Sequence, residues 1–286
     1  MDKIRKIKVT LKSRPTFEGA GVRLKRAFGY SDSSLDPFLL LDDFHSDDPK
    51  DYMAGFPWHP HRGIETITYM LHGRVEHGDS LGNEGVIEAG DVQWMTAGSG
   101  IIHQEMPKRD KHDSLLWGFQ LWANLPASHK MMEPRYRDIK NIQIPEVCFN
   151  NDNIKIKIIS GEINGVKGPV QDIITDPEYL DITINPNSEF THQIREEYNV
   201  LAYTIHGAGY FDDNREELVG KETLVIFREG DLIKVSTEEQ GVRFLLVSGK
   251  PLKEPVAWRG PIVMNTDEEL RIAFNEYQNG TFIKHK

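Results

Sequence analysis

Cysteine is almost missing. Cys148 stands alone in 286 residues, so no intrachain disulfide can form and zinc sites built on cysteine pairs are excluded. Long apolar runs are missing as well. No stretch approaches the roughly 18 apolar residues that a bilayer-spanning helix needs. The charged start MDKIRKIKVTLK lacks the uninterrupted apolar segment of a secretory signal. Positive charge is in deficit: 34 Lys and Arg face 44 Asp and Glu, for a net charge of −10. Such a surface attracts phosphate backbones poorly, and only the short start from Lys3 to Lys8 is basic. These absences disfavour nucleic acid and membrane as direct partners. They predict a reducing, aqueous address, the cytoplasm, or the nucleus in a eukaryote. Helix signals are scarce too, which points to an all-β fold.

What the chain does have is strands. An apolar fraction of 38% with 9% aromatics supports packed cores, and the length suits two domains of roughly 100–150 residues each. Short apolar or β-branched runs, such as Glu65 to Leu71, Leu115 to Trp122, Ile154 to Ile159 and Arg243 to Val247, are broken by Gly, Asn, Asp and Pro. That pattern favours a sandwich or barrel. Three echoes recur in the same order. Tyr69 to Gly73 resembles Tyr203 to Gly207 at an offset of 134, Ala89 to Val92 resembles Glu229 to Leu232 at 140, and Phe119 to Leu121 resembles Phe244 to Leu246 at 125. Together they suggest duplication of one β-domain. The charged segment Glu133 to Pro145, with two prolines, is the natural boundary, giving an N-terminal domain 1–138 that binds metal and a C-terminal domain 139–286. One helix closes the chain: Thr266 and Glu269 have capping-box spacing, Leu270, Ala273, Phe274 and Tyr277 form a stripe, and Gly280 is the stop.

Two short motifs carry chemistry. Residues two apart on a strand project to one face, about 7 Å apart, so His59-Pro60-His61 and His103-Gln104-Glu105 can converge on one ion from neighbouring strands. Three imidazoles and a carboxylate suit Fe, Mn, Ni, Cu or Zn rather than calcium or magnesium. Pro60 places the first pair at a strand start or sheet edge, and Gly98-Ser99-Gly100 permits the turn that swings the second pair back. Isolated histidines in β proteins are ordinarily surface or core residues; the pairing is what raises these. Alternation from His59 also turns Glu65 inward, so periodicity leaves Glu65 and Glu105 both open as the carboxylate ligand, a partner of a ligand, or a base. Phe56, Trp58 and Trp94 lie near the ligands in sequence and are wall candidates, although such aromatics are more often core. His72 and His206 precede matching glycines and read as turn residues, and His192 has no partner pair. The second half has no H-x-H or H-x-E, so it is expected to bind no metal.

The spacing from His59 to Glu65, then Gly73, Gly90-Asp91 and the G-x-G-x-x-H run ending at His103 resembles the two cupin motifs, with Gly98 where the second motif ordinarily has Pro. Longer blocks resemble the pirin family more specifically. They include Asp36 to Asp42, Phe56 to Gly63, Gly90 to Gly98, Gly100 to Pro107, Gln120 to Pro126, Glu133 to Tyr136, Ser248 to Leu252 and Gly260 to Thr266. The resemblance implies a bicupin: two tandem cupin barrels of double-stranded β-helix (jelly-roll) type with a short C-terminal helix. It implies one Fe(2+) per chain in the first barrel, held by His59, His61, His103 and Glu105, with Glu65 behind them. It further implies a quercetin 2,3-dioxygenase-like oxidoreductase cleaving flavonols with O2; for such a reaction Glu105 or Glu65 is expected to take the substrate proton. Other pirins are described as metal-dependent co-regulators of transcription factors, or act on metabolic enzymes through protein contacts. The family is commonly monomeric.

Overall fold

A computed structural model describes residues 3–29, 34–109 and 113–285. Among these the chain forms two β units, each a cupin barrel built on one long antiparallel sheet. In the first barrel the sheet runs Arg135–Ile139, Val92–Thr96, Ile64–His72, Leu116–Asn124, Phe38–Ser46, Val22–Gly29 and Arg14–Glu18. In the second it runs Ile7–Lys12, Thr223–Phe227, Asn199–Gly209, Val242–Gly249, Glu178–Ile184, Ile154–Ser160 and Glu146–Phe149. The two orders correspond position for position, so the duplication is visible as topology.

The echoes fare unequally. Tyr69 pairs with Phe119 and Val92, and Tyr203 pairs with Leu245 and Leu224, so the two tyrosines are true equivalents. Phe119 therefore corresponds to Leu245, one residue from the Phe244 that the sequence suggests. Gly90-Asp91 precedes Val92–Thr96, whereas Gly230-Asp231 precedes Leu232–Ser236, which lies outside the long sheet. A Gly-Asp turn serves wherever a strand must start sharply, so two such turns can match without being counterparts.

The division at residue 138 is also less simple than the linker suggests. One compact unit contains Met1–Ser13, Asp32–Pro37 and Ile142–Pro251; the other contains Arg14–Ser31, Phe38–Asn141 and Leu252–Lys286. The exchange has a hydrogen-bonding cause. The sheet edge that Arg135–Ile139 fills in the first barrel is filled in the second by Ile7–Lys12, which pairs with Thr223–Phe227. The chain after Pro251 returns to the first barrel as the hairpin Ala257–Arg259 and Ile262–Met264, followed by the helix Asp267–Gln278. That helix has the expected capping box, with Thr266 accepting from the Glu269 amide and Glu269 reaching back. Leu270 and Ala273 are buried, but Tyr277 is 40% exposed; the stripe is narrower than the spacing implies. Among the described residues no helix is long and apolar enough to cross a membrane.

The strands that matter most form a smaller sheet in the first barrel: Phe56–His61, Ile101–Lys108, Arg74–Asp79 and Glu84–Ile87. Phe56–His61 is its edge, which is where Pro60 can sit without removing a ladder hydrogen bond. Along Ile101–Lys108 burial alternates, and the inward positions are Ile101, His103, Glu105 and Pro107.

Candidate metal centre

Antiparallel pairing does what the motif spacing requires. His103 lies directly opposite His59 and Ile101 opposite His61, with a bulge between His103 and Glu105 that brings Glu105 opposite Phe56. The turn Gly98-Ser99-Gly100 joins Val92–Thr96 to this strand. His61 and His103 are buried and His59 is half-buried. Their ligand nitrogens all lie within 4.8 Å of one another. His59 Nε2 is 3.0 Å from His61 Nε2 and 3.0 Å from His103 Nε2.

The protonation pattern suits a cation there. His59 Nδ1 donates to the Pro57 carbonyl at 2.9 Å, and His61 Nδ1 donates to the Pro261 carbonyl at 3.0 Å. Both rings then present bare Nε2 lone pairs to each other. Burial, followed by the neighbouring His59 imidazole, holds the His61 imidazole well below the ordinary histidine range. Burial and the neighbouring imidazoles do the same for His103. Lone pairs that neutral rings aim at one another are what a bound cation would accept. Metal–imidazole bonds of about 2.1 Å at right angles put adjacent nitrogens about 3.0 Å apart, which is the spacing of His59 Nε2 from each of the other two. The donor set fits a first-row divalent metal.

The carboxylates are placed differently. Glu105 is buried, on the same inward row as His103, but among the described residues the cluster within ligand distance comprises the three imidazoles. Its Oε1 accepts from Thr68 Oγ1 at 2.9 Å and its Oε2 from Gln120 Nε2 at 3.0 Å. Gln120 is itself oriented, since its Oε1 accepts from the Trp122 indole at 3.0 Å. Glu65 does turn inward. Its carboxylate accepts from Trp94 Nε1 at 2.9 Å and Thr96 Oγ1 at 2.8 Å. Burial pushes the Glu65 carboxyl upward despite these donors.

A cleft of 590 Å³ opens onto His59 and His61, within the roughly 300–1,000 Å³ typical of small-molecule sites. Phe56, Trp122 and Trp258 supply its aromatic lining, and Arg26, Asp42 and Glu18 its charged end. Arg26 is held charged by a bidentate bond to Asp42, both contacts 2.8 Å, and also contacts Glu18. Of the three aromatics that the sequence offers as walls, only Phe56 lines the cleft. Trp94 is buried behind Glu65, and Trp58 is 52% exposed.

The Pirin family model matches residues 21–123, and the Pirin C-terminal cupin domain model matches residues 179–283. A pirin-like protein of Caulobacter vibrioides is 41% identical over 98% of this chain and 99% of its own length. The chain belongs to the pirin family. Human pirin is 39% identical, covering 98% of this chain and 94% of its own length. The crystal structure of a quercetin 2,3-dioxygenase from Acinetobacter baumannii, also similar to this pirin chain, has a TM-score of 0.90 at 32% identity and covers 98% of each chain.

Several residues of this pirin site escape a reading of the sequence. Gln120 and Trp122 are two apart on one strand and share a face, a signal that was available. Trp258 and Pro261 arrive from the far end of the chain, where nothing local announces them. His77 is the histidine most easily mistaken for a ligand: its ring centroid is 5.5 Å from that of His103. Its nitrogens are already engaged, Nδ1 with Gln93 at 2.9 Å and Nε2 with Asp79 at 3.3 Å.

Proposed function

We propose that this pirin is an iron(II)-dependent dioxygenase that cleaves flavonols in the manner of quercetin 2,3-dioxygenase. The observation that carries the proposal is the convergence of three imidazole nitrogens beside a cleft with aromatic walls. In this reading His59, His61, His103 and Glu105 hold the ion. Iron(II) is the ion implied by the family resemblance, and the same donors suit Mn, Ni, Cu or Zn. A bound divalent metal would act as a Lewis acid that favours a substrate oxyanion and lets it meet dioxygen.

The remaining work falls to side chains. Trp122 and Trp258, with ring centroids 5.9 Å apart, present faces against which a planar phenolic ring stacks. The proton of the flavonol 3-hydroxyl passes to Glu105, whose hydrogen-bond partner Gln120 lines the cleft. Thr68 and Gln120 keep that carboxylate from rotating, at some cost in basicity. Glu65, held by Trp94 and Thr96 in the barrel wall, is the second candidate for the base. Overall, both atoms of dioxygen enter the opened product and carbon monoxide leaves. Iron(II)-loaded protein, reconstituted without oxygen and then given quercetin and oxygen, should bleach the flavonol and release carbon monoxide. Neither signal, with iron confirmed bound, would end the proposal.

A second reading rests on Trp58. This tryptophan is 52% exposed and adjoins the ligand His59, as an interface anchor would. A metal-dependent protein contact there predicts partner capture that differs between iron(II), iron(III) and apo protein. Equal capture in all three states rejects it.

A further inference from the structure

We propose that the C-terminal hairpin, Ala257–Arg259 and Ile262–Met264, is a positioning element of the metal centre, so that metal binding and docking of this hairpin reinforce each other. The inference rests on the metal-binding reading above and adds a residue to it: the backbone carbonyl of Pro261.

The two imidazoles of the first motif are oriented by different means. His59 uses the carbonyl of Pro57, two residues away on its own strand, whereas His61 uses Pro261, 200 residues along the chain. That carbonyl holds His61 as the Nδ1–H tautomer and aims Nε2 at the site. An oriented outer partner of this kind is ordinarily worth roughly 10- to 100-fold in metal affinity. Its position depends on how firmly the hairpin is attached.

The attachment falls on the residues immediately after the ligand. Arg62 and Ile262 form a parallel bridge, and the Val263 amide donates to the Arg62 carbonyl at 3.1 Å. Gly63 permits the approach: a Cβ there would lie 2.0 Å from the Val263 carbonyl oxygen. Lys130 then ties both sides, its Nζ donating to Gly63 O at 2.9 Å and Val263 O at 3.1 Å. The Arg62 guanidinium is buried, donates to the Phe282 carbonyl at 2.9 Å and pairs with Glu276 at 2.7 Å. Hairpin and ligand strand are thus joined along three consecutive residues. Trp258, Gly260 and Pro261 also line the cleft, so the same hairpin orients a ligand and shapes the substrate wall.

Coupling of this kind is reciprocal: whatever the docked hairpin adds to metal affinity, the metal must add to docking. Nickel(II), stable in air and suited to imidazole, is the probe. With wild-type full-length protein, saturating nickel should slow hydrogen exchange of the Val263 amide by roughly 10- to 100-fold. Nickel bound by calorimetry with unchanged exchange at Val263 overturns the proposal. Absence of nickel binding to wild type instead overturns the metal assignment beneath it, so the two failures are distinguishable. A variant gives the second arm. Gly260 has φ +56° with nothing within 4 Å of an added Cβ, so Gly260→Val strains the turn without a clash. Nickel affinity should fall roughly 10- to 100-fold in this variant, while Gly260→Asn, which tolerates that backbone, stays close to wild type. Wild-type affinity in Gly260→Val also overturns the proposal.

Discussion

Lys130 is 1% exposed, and its Nζ donates to Gly63 O at 2.9 Å, Asn124 Oδ1 at 2.6 Å and Val263 O at 3.1 Å. Burial pushes its ammonium down from 10.5 to about 7, against the opposing charges of Glu254 and Glu269. Between pH 7 and pH 10.5 the unfolded chain therefore holds a proton that the folded chain has lost. Stability rises with pH across that window, and below pH 7 both states are protonated and the slope disappears. A fall from 10.5 to about 7 corresponds to about 5 kcal/mol over the window. A second effect opposes it. The ammonium offers three donors to three oxygens and the neutral amine two, so deprotonation orphans one buried acceptor at about 1–3 kcal/mol. Burial still wins, leaving about 2–4 kcal/mol, and the rise with pH then starts correspondingly above pH 7. Urea unfolding of wild type and Lys130→Met at intervals from pH 7 to pH 10 reads this directly, because other titrating groups are common to both proteins. Wild type should gain about 2–4 kcal/mol on the variant as pH rises. A flat difference refutes the reasoning and shows that three oxygens outweigh burial.

Metal binding and chemistry at the site separate by substitution. His59→Ala and His103→Ala should each lose metal on purification, measured by elemental analysis; full occupancy in either would dismiss the three-imidazole assignment. Chelation should lower wild-type stability by about 3 kcal/mol relative to protein at a metal concentration one hundred times Kd, read as a melting shift restored by adding the ion back. Glu105→Gln should lower kcat per bound metal by at least roughly 100-fold, and Glu65→Gln by less; the reverse order would move the base to Glu65. Gln120→Leu, which frees Glu105 Oε2, should reduce kcat while leaving metal content unchanged.

How much of this was legible in the sequence depends on how local each cause is. The H-x-H and H-x-E pairs are local, strand alternation is a local rule, and the imidazole cluster follows from them. The capping box at Thr266 and Glu269 is local too, and it forms as read. What stayed hidden is pairing across long separations. Ile7–Lys12 completes the second barrel's sheet, and no composition shift near residue 138 can reveal a strand lent from the other end. Pro261 and Trp258 reach the site for the same reason. The carboxylate question was undecidable by period alone, since Glu65 and Glu105 both face inward; side-chain partners separate them, with Glu105 linked through Gln120 to the cleft and Glu65 fixed in the wall.

The duplicated barrels differ most at one strand pair. In the first, His59 faces His103 across Phe56–His61 and Ile101–Lys108. In the second, the corresponding pair Glu189–Gln193 and Leu232–Ser236 sets Phe190 against Val235 and His192 against Ile233. Ile233 and Val235 are fully buried and join a single apolar cluster that includes Phe190, Phe211 and Phe244. His192 is engaged with Glu178 at 3.0 Å. Where one interior carries donors, the other is filled with side chains, and the fill can be tested. Phe244 is 0% exposed and meets Phe211 edge to face, with centroids 5.1 Å apart. Phe244→Ala should cost about 3–5 kcal/mol, transfer and cavity terms together, seen as a lower urea midpoint at unchanged slope. A cost under about 1 kcal/mol would mean that this interior closes over the gap with ease. A barrel so loosely packed would have room for a ligand of its own, and the contrast between the two interiors would fail.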